Sequence, residues 1–215
     1  MTSFDPITLA LVLALMALLP TVVVVTTSFL KIAIVMSLIR NALGVQQIPP
    51  NLALYGMALI ITAYIMAPVG NGIYEQTLHQ PAAMKSIDGL MSGIQKGADP
   101  LREFMLRNSR GEQRNYFVQT AQRLWGPKLA ADIKPTDFIV LMPAFLVSEL
   151  TSAFEIGFLL YLPFVVIDLI ISNILLSMGM MMVSPVTISL PLKLFLFVMV
   201  DGWSRLVHGL IQTYA

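Results

Sequence analysis

Two sets of residues in this 215-residue chain have the chemistry for a function. The first is seven charged side chains inside or beside long apolar runs: Lys31, Glu149, Glu155, Asp168, Lys193, Asp201 and Arg205. An isolated charge at the centre of a bilayer costs at least about 2.5–3.5 kcal/mol. Seven of them cannot all face lipid. Three arrangements would satisfy them. Lys31, Lys193 and Arg205 can snorkel from a span end to the interface. Acids and bases can pair within or between subunits, and Asp201 and Arg205 stand at i, i+4 with the acid first, the favoured order. Or Glu149, Glu155 or Asp168 relays protons, as in a small proton-coupled secondary transporter. The three acids outnumber the bases near them, so pairing requires partners from the N-terminal apolar segments or from other chains.

The second set is Ser177-Met178-Gly179-Met180-Met181-Met182-Val183-Ser184-Pro185, with four methionines around one glycine. Thioethers favour Cu(I), but no Cys or His is near. Methionine also fills irregular cores, because its side chain is flexible. The same flexibility suits a third use. A ring of such loops would close a pore to ions and small solutes, then deform around a passing chain. In that use Gly179 loosens the backbone and Pro185 ends the loop, so these two residues are the hinge.

The elements that must position these residues are apolar helices. The chain is 57% hydrophobic and 12% charged, against about 25% charged in a soluble domain. The apolar residues form long blocks, which makes the class an all-α membrane protein. Net charge is +1, so no nucleic-acid partner is indicated, and the chain has no cysteine for disulfides or thiolate metal sites. Ile7–Leu30 carries no charge and is long enough to cross about 30 Å of hydrocarbon. It lacks a basic n-region and outruns an h-region, so it reads as a retained span rather than a signal peptide. Pro20 predicts a kink or break within it, and the apolar run continues past Lys31 to Ile39, too far for one straight span. Arg40–Asn51 is a turn containing Gly44 and Pro49-Pro50. Leu52–Val69 is a second helix, ending near Pro68 and Gly70.

Residues 70–137 differ. They hold nine of the thirteen Lys/Arg and seven of the twelve Asp/Glu. Met84, Ile87, Met91 and Ile94 recur at helical spacing. Asp99 is placed as an N-cap with Pro100 at N1. Asn108–Gly111 interrupts the helical pattern, which resumes until Gly126-Pro127. Phe138–Val183 and Val186–Leu210 are two further long apolar segments. The expected domains are an N-terminal helical hairpin (1–69), a soluble helical insert (70–137) and a C-terminal helical hairpin with the Met-rich loop (138–215). Lys31 and Arg40 in the short first loop place that loop in the cytoplasm and the insert on the periplasmic side.

Two longer stretches resemble a known family. Pro143-Ala144-Phe145-Leu146-Val147-Ser148-Glu149-Leu150, followed by Ala153-Phe154-Glu155-Ile156-Gly157-Phe158, resembles the first signature of the FliP/SctR family. Pro163 to Asp168-Leu169, running on to Met178–Met182, resembles the second. Thr27–Ile32, Pro49-Pro50-Asn51, Leu190–Lys193 and Asp201-Gly202-Trp203 also fit, so the resemblance covers nearly the whole chain. The family forms the core export gate of bacterial type III secretion, in flagella and injectisomes.

What the resemblance implies is a multi-pass protein of the bacterial inner membrane at the base of a secretion system. Several copies, a pentamer in the family, would join SctS/FliQ-like and SctT/FliR-like membrane subunits in a helical channel for unfolded secreted proteins. SctU/FlhB-like and SctV/FlhA-like export components are further partners. The methionine loop is expected to be the gasket, with Met180, Met181 and Met182 at its positions and Met178 beside them. The family's charged positions fall on Lys31, Glu149, Asp168, Lys193 and Asp201. The absence of a flagellar-type signal peptide, Ser184-Pro185 in place of two prolines, and Glu155 favour the injectisome branch over a flagellar gate. No nucleotide loop, metalloprotease helix or nucleophile elbow is present. The expectation is a channel subunit without enzymatic activity, cofactor or metal.

Overall fold

A computed structural model describes residues 17, 20–45, 47–78 and 97–215. The described residues are helical and contain no strand. A helical stretch at Pro20–Thr26 precedes α1 (Phe29–Ala42). Then come α2 (Asn51–Leu78), α3 (Asp99–Asn108), α4 (Gly111–Leu129), α5 (Phe138–Ser177), α6 (Pro185–Met199) and α7 (Gly202–Gln212). The chain divides into two compact units, one of residues 1–30 and 69–147, the other of residues 31–68 and 148–215. The helical spacing expected around Met84 to Ile94 lies outside the described residues.

The break in the first apolar run falls at Thr27-Ser28. Thr26 and Thr27 turn their hydroxyls back onto the carbonyls of Val22 and Val23, at 2.8 and 2.5 Å. Such back-bonding competes with the backbone ladder and bends helices. The turn after α1 is as expected. Arg40 closes it, donating to the Pro49 carbonyl at 3.2 Å and to Asn51 Oδ1 at 2.5 Å.

Helix α2 does not end near Pro68; it runs on to Leu78. A proline inside a helix costs about 3 kcal/mol. Any end leaves four carbonyls without partners; extending the helix moves them from the apolar run before Pro68 to the polar Glu75-Gln76-Thr77 end, where water can satisfy them. Continuation is the smaller loss. Asn51–Gln76 and Phe138–Ser177 are each long and apolar enough to cross a membrane. The 40 residues of α5 measure about 60 Å, twice the hydrocarbon thickness.

In the first unit, α3 packs on the start of α5. Phe104 and Phe145 are both buried, with ring centroids 5.9 Å apart. The Arg102 guanidinium lies 4.7 Å over the Phe138 ring. Asp99 is the first residue of α3 rather than its cap; Ala98 holds the cap position and the Asp99 carboxylate accepts from Arg102. The interruption at Ser109-Arg110 and the kink at Gly126, with φ of +76°, fall where the pattern predicted them.

In the second unit, Ile32, Val35, Met36 and Ile39 form the buried stripe of α1, at the spacing of one helix face. Leu54, Ala58, Ile61 and Thr62 do the same for α2. Gly157 brings α5 against α1, because a Cβ there would collide with the side chain of Leu38. The last apolar segment is two helices, not one. α6 and α7 meet at 62°. Asp201 sits at the break with φ of +53°, a left-handed conformation that Asp tolerates better than most residues. At Gly202 a Cβ would strike the Phe197 ring, so the bend needs that glycine.

Candidate functional site: the methionine loop and its buried ion pairs

The hairpin of α5 and α6 presents the methionine loop at its tip. Phe164 faces Phe197 with ring centroids 6.4 Å apart, and Asp168 meets Ser189 and Lys193. Residue numbers rise on one helix as they fall on the other, so the two run antiparallel. α5 ends at Ser177 in a double cap: the Met180 N–H donates to the Leu175 carbonyl at 2.9 Å and the Gly179 N–H to the Leu176 carbonyl at 3.0 Å. This is the Schellman arrangement, and it requires a left-handed residue. Gly179 supplies it with φ of +75°. Gly179 therefore fixes the loop's exit from α5 rather than loosening it. Pro185 opens α6 and so closes the loop, where its missing N–H costs nothing.

The cap holds the methionine side chains out. Met181 and Met182 are 82% and 101% exposed, and Met178 and Met180 are exposed as well. Burying one such side chain would contribute roughly 1.5–3 kcal/mol. Four neighbouring thioethers left outside the core make a loop whose apolar surface is available to another surface.

Below the loop, the charged residues are sorted into pairs. Lys31 on α1 lies 3.0 Å from Glu149 on α5, with side chains 5% and 2% exposed. The phenol of Tyr214, beyond α7, donates to the Glu149 carboxylate. The Lys31 ammonium also sits 3.9 Å over the Tyr214 ring centroid, in cation–π geometry. The second group centres on Lys193 of α6. Its ammonium donates to Asp168 Oδ2 at 2.6 Å and to the Ala42 carbonyl at 3.3 Å. Ser189, one turn earlier on α6, donates to Asp168 Oδ1 at 2.6 Å. Ala42 is the last residue of α1, so the lysine also meets the negative end of that helix.

Each group is electrically neutral and satisfies its donors and acceptors. That lets α1, α5 and α6 carry charge without exposing it to an apolar medium. Neither Lys31 nor Lys193 snorkels; both are buried and paired. Part of this pairing comes from α1, which supplies Lys31 to Glu149 and the Ala42 carbonyl to Lys193. The Asp201–Arg205 pair is not formed. Asp201 is the left-handed cap ahead of α7, off the helical lattice, and its carboxylate accepts from Ser204 Oγ at 3.0 Å. Glu155 and Arg205 are exposed.

The signature residues point to one family. A family model described as the FliP family matches residues 12–210. The chain belongs to the FliP family. It is 51% identical over 210 residues to the Yop proteins translocation protein R of Yersinia pestis, covering 98% of this chain and 97% of that one. It is 46% identical over 211 residues to the Harpin secretion protein HrcR of Erwinia amylovora, with 98% and 97% coverage. To the Virulence protein YscR of Salmonella typhimurium it is 46% identical over 211 residues, with 98% of both chains covered. This FliP-family chain is a membrane component of a type III secretion export apparatus. The relatives' names speak of translocation, secretion and virulence, in keeping with the injectisome branch.

Three members of the paired clusters escaped the sequence reading: Tyr214, Ser189 and the Ala42 carbonyl. Ser189 had a signal, since it precedes Lys193 by four residues and so shares its helix face. Tyr214 and Ala42 had none, because their roles depend only on what the fold brings near them.

Proposed function

We propose that this FliP-family chain is a channel-forming subunit of the export gate, passing unfolded proteins across the bacterial inner membrane. Met178, Met180, Met181 and Met182 form the seal, and Gly179 and Pro185 fix the two ends of the seal loop. The observation that carries this reading is the capped loop with four outward thioethers at the tip of an antiparallel apolar hairpin. Several copies arranged around an axis would bring those tips together. Flexible side chains on a fixed backbone suit a seal that must close on itself and yield to unrelated sequences.

The charged residues are assigned to assembly. Lys31–Glu149 and the Lys193 bond to the Ala42 carbonyl tie α1 to the second hairpin, and Asp168–Lys193 ties α5 to α6, so that the loop is held at one height in each copy. Asp168, 38% exposed at its side chain, and the exposed Glu155, Asp201 and Arg205 are assigned to contacts with neighbouring subunits or the channel lining. SctS/FliQ-like and SctT/FliR-like subunits complete the channel, with SctU/FlhB-like and SctV/FlhA-like components feeding it and the segment 70–137 on the periplasmic side. The proton-transporter alternative is weakened because Glu149 and Asp168 are each engaged in an ion pair with a lysine of the same chain.

The test is conductance of the assembled complex in a planar bilayer. Replacing Met180, Met181 and Met182 together with alanine should raise ion leakage in the absence of cargo. An unchanged conductance with normal export would refute the seal.

A further inference from the structure

We propose that the methionine loop is a modification site: oxidants of the peroxide class convert Met181 and Met182 to sulfoxides and thereby open the seal. The inference rests on the seal reading above and adds its regulation. Among the described residues, the exposed methionines are the four of the loop and Met199. Met181 and Met182 stand furthest out, while Met36 and Met105 are fully buried. A thioether needs no deprotonation to react, so contact with the oxidant orders the sites. A buried sulfur meets peroxide only when its surroundings open, and core segments open rarely.

The step is an oxygen transfer. A lone pair on Sδ attacks one oxygen of hydrogen peroxide, and the S–O bond forms as the O–O bond breaks. The sulfur gives up two electrons and the peroxide is reduced. The leaving hydroxide takes the proton from the transferred oxygen and departs as water. The product is polar and chiral where the thioether was apolar and flexible. Reductases specific for each epimer return the thioether, so the change is reversible.

The backbone then decides the consequence. The Met180 N–H is held by the Leu175 carbonyl and the Met181 N–H by the Gly179 carbonyl. Left-handed Gly179 and Pro185 at the start of α6 fix the two ends. A loop anchored in this way keeps each new oxygen on the surface that the thioether covered. A polar oxygen pressed into an apolar contact without a hydrogen-bond partner is unfavourable. Water supplies that partner, whereas an apolar constriction closes by staying dry. Sulfoxides at the loop tip therefore wet the seal. Met199 is a control within the same hairpin. It is 67% exposed and ends α6, whose 15 residues put it about 20 Å from the loop.

The experiment treats the assembled complex in a planar bilayer with hydrogen peroxide and reads conductance after treatment against conductance before it. Peptide mass spectrometry of the same samples scores each methionine for one added oxygen. In the parent complex the loop peptide should be oxidised at least about tenfold faster than the peptides holding Met36 and Met105. The conductance ratio should rise about tenfold as it does so, the effect of one polar group left unmatched in an apolar contact. With leucine, which has no sulfur, in place of Met178, Met180, Met181 and Met182, peroxide should leave the ratio unchanged, whatever the starting conductance of that variant. Met199→Leu should respond as the parent does. A loop that is oxidised without a change in conductance would overturn the proposal. So would a loop oxidised no faster than Met36, or a leucine variant whose ratio rises like the parent's. If the leucine variant does not assemble, the parent decides: the rise must follow oxidation of the loop peptide and not of the Met199 peptide. The seal itself is judged separately by the untreated alanine variant. Leakage there, with no response of the oxidised parent, would keep the seal and remove its sensitivity to oxidation.

Discussion

The buried Lys31–Glu149–Tyr214 group should respond to mutation in a way that a surface ion pair would not. Lys31→Met removes the ammonium and leaves the Glu149 carboxylate with one remaining partner shown here, the Tyr214 phenol. Breaking a buried pair by deleting one partner costs about 3–5 kcal/mol, because a charge is left uncompensated. For chains of this size each kcal/mol moves the midpoint by about 2–4 °C, so the loss should be about 6–20 °C. Tyr214→Phe keeps the ring under Lys31 and loses only the hydrogen bond to a charged acceptor, about 1.5–3 kcal/mol. The double variant Lys31→Met, Glu149→Gln removes both charges and leaves Tyr214 an acceptor. Replacing a buried pair by neutral groups is often near neutral, so the double should be markedly more stable than Lys31→Met alone. The assay is thermal unfolding of the purified chain in detergent, read by loss of the monodisperse elution peak. Exposed pairs lose strength as salt screens them, whereas this one should not. A Lys31→Met midpoint within about 2 °C of the parent, well short of the expected loss, would refute the argument. So would a double variant whose loss equals the sum of the singles.

The second pair predicts rescue. Asp168→Lys and Lys193→Asp should each reduce assembled complex recovered from membranes, and the combined swap should restore a substantial part of it; failure of the swap would separate their roles. Ser189→Ala should cost only about 1 kcal/mol, seen as a small midpoint shift, because Lys193 still holds Asp168. Gly179→Ala should destabilise the hairpin by roughly 1–2 kcal/mol, since its left-handed backbone then crowds a Cβ; Gly179→Asn should cost less, and equal effects would argue against the double cap. Gly157→Ala should destabilise through collision with Leu38, and Leu38→Ala should relieve part of that loss in a double-mutant cycle.

Some of these features were legible because they are local. The chain's long apolar blocks told of helices long enough to cross a membrane. Gly179 and Pro185 announced a turn between two helices, and the interruption at Asn108–Gly111 was visible as a lapse in periodicity. Where local reading failed, a tertiary or whole-helix term outweighed it. Pro68 is a local stop signal, but α2 passes through it because ending there would place the unpaired terminal carbonyls in an apolar run. Val186–Leu210 looked like one apolar segment, yet it bends at Asp201-Gly202, where Phe197 occupies the space a side chain would need.

The sequence by itself determined that this is an all-α membrane protein. It also showed that lone charges in its apolar blocks demand partners, and that four methionines lie between two helices. Those conclusions need only hydropathy, turn chemistry and the cost of a charge in hydrocarbon. Signature residues carried the family, and the full-length relatives established it. The tertiary structure alone decided which charge meets which. Tyr214 stands 65 residues from Glu149, and Ala42 stands 151 from Lys193. Periodicity assigns a residue to a helix face, but the face it meets depends on how the helices pack. The fold likewise turned Gly179 from an expected loosener into a cap, since a positive φ is useful only where a helix end presents the carbonyls to receive it.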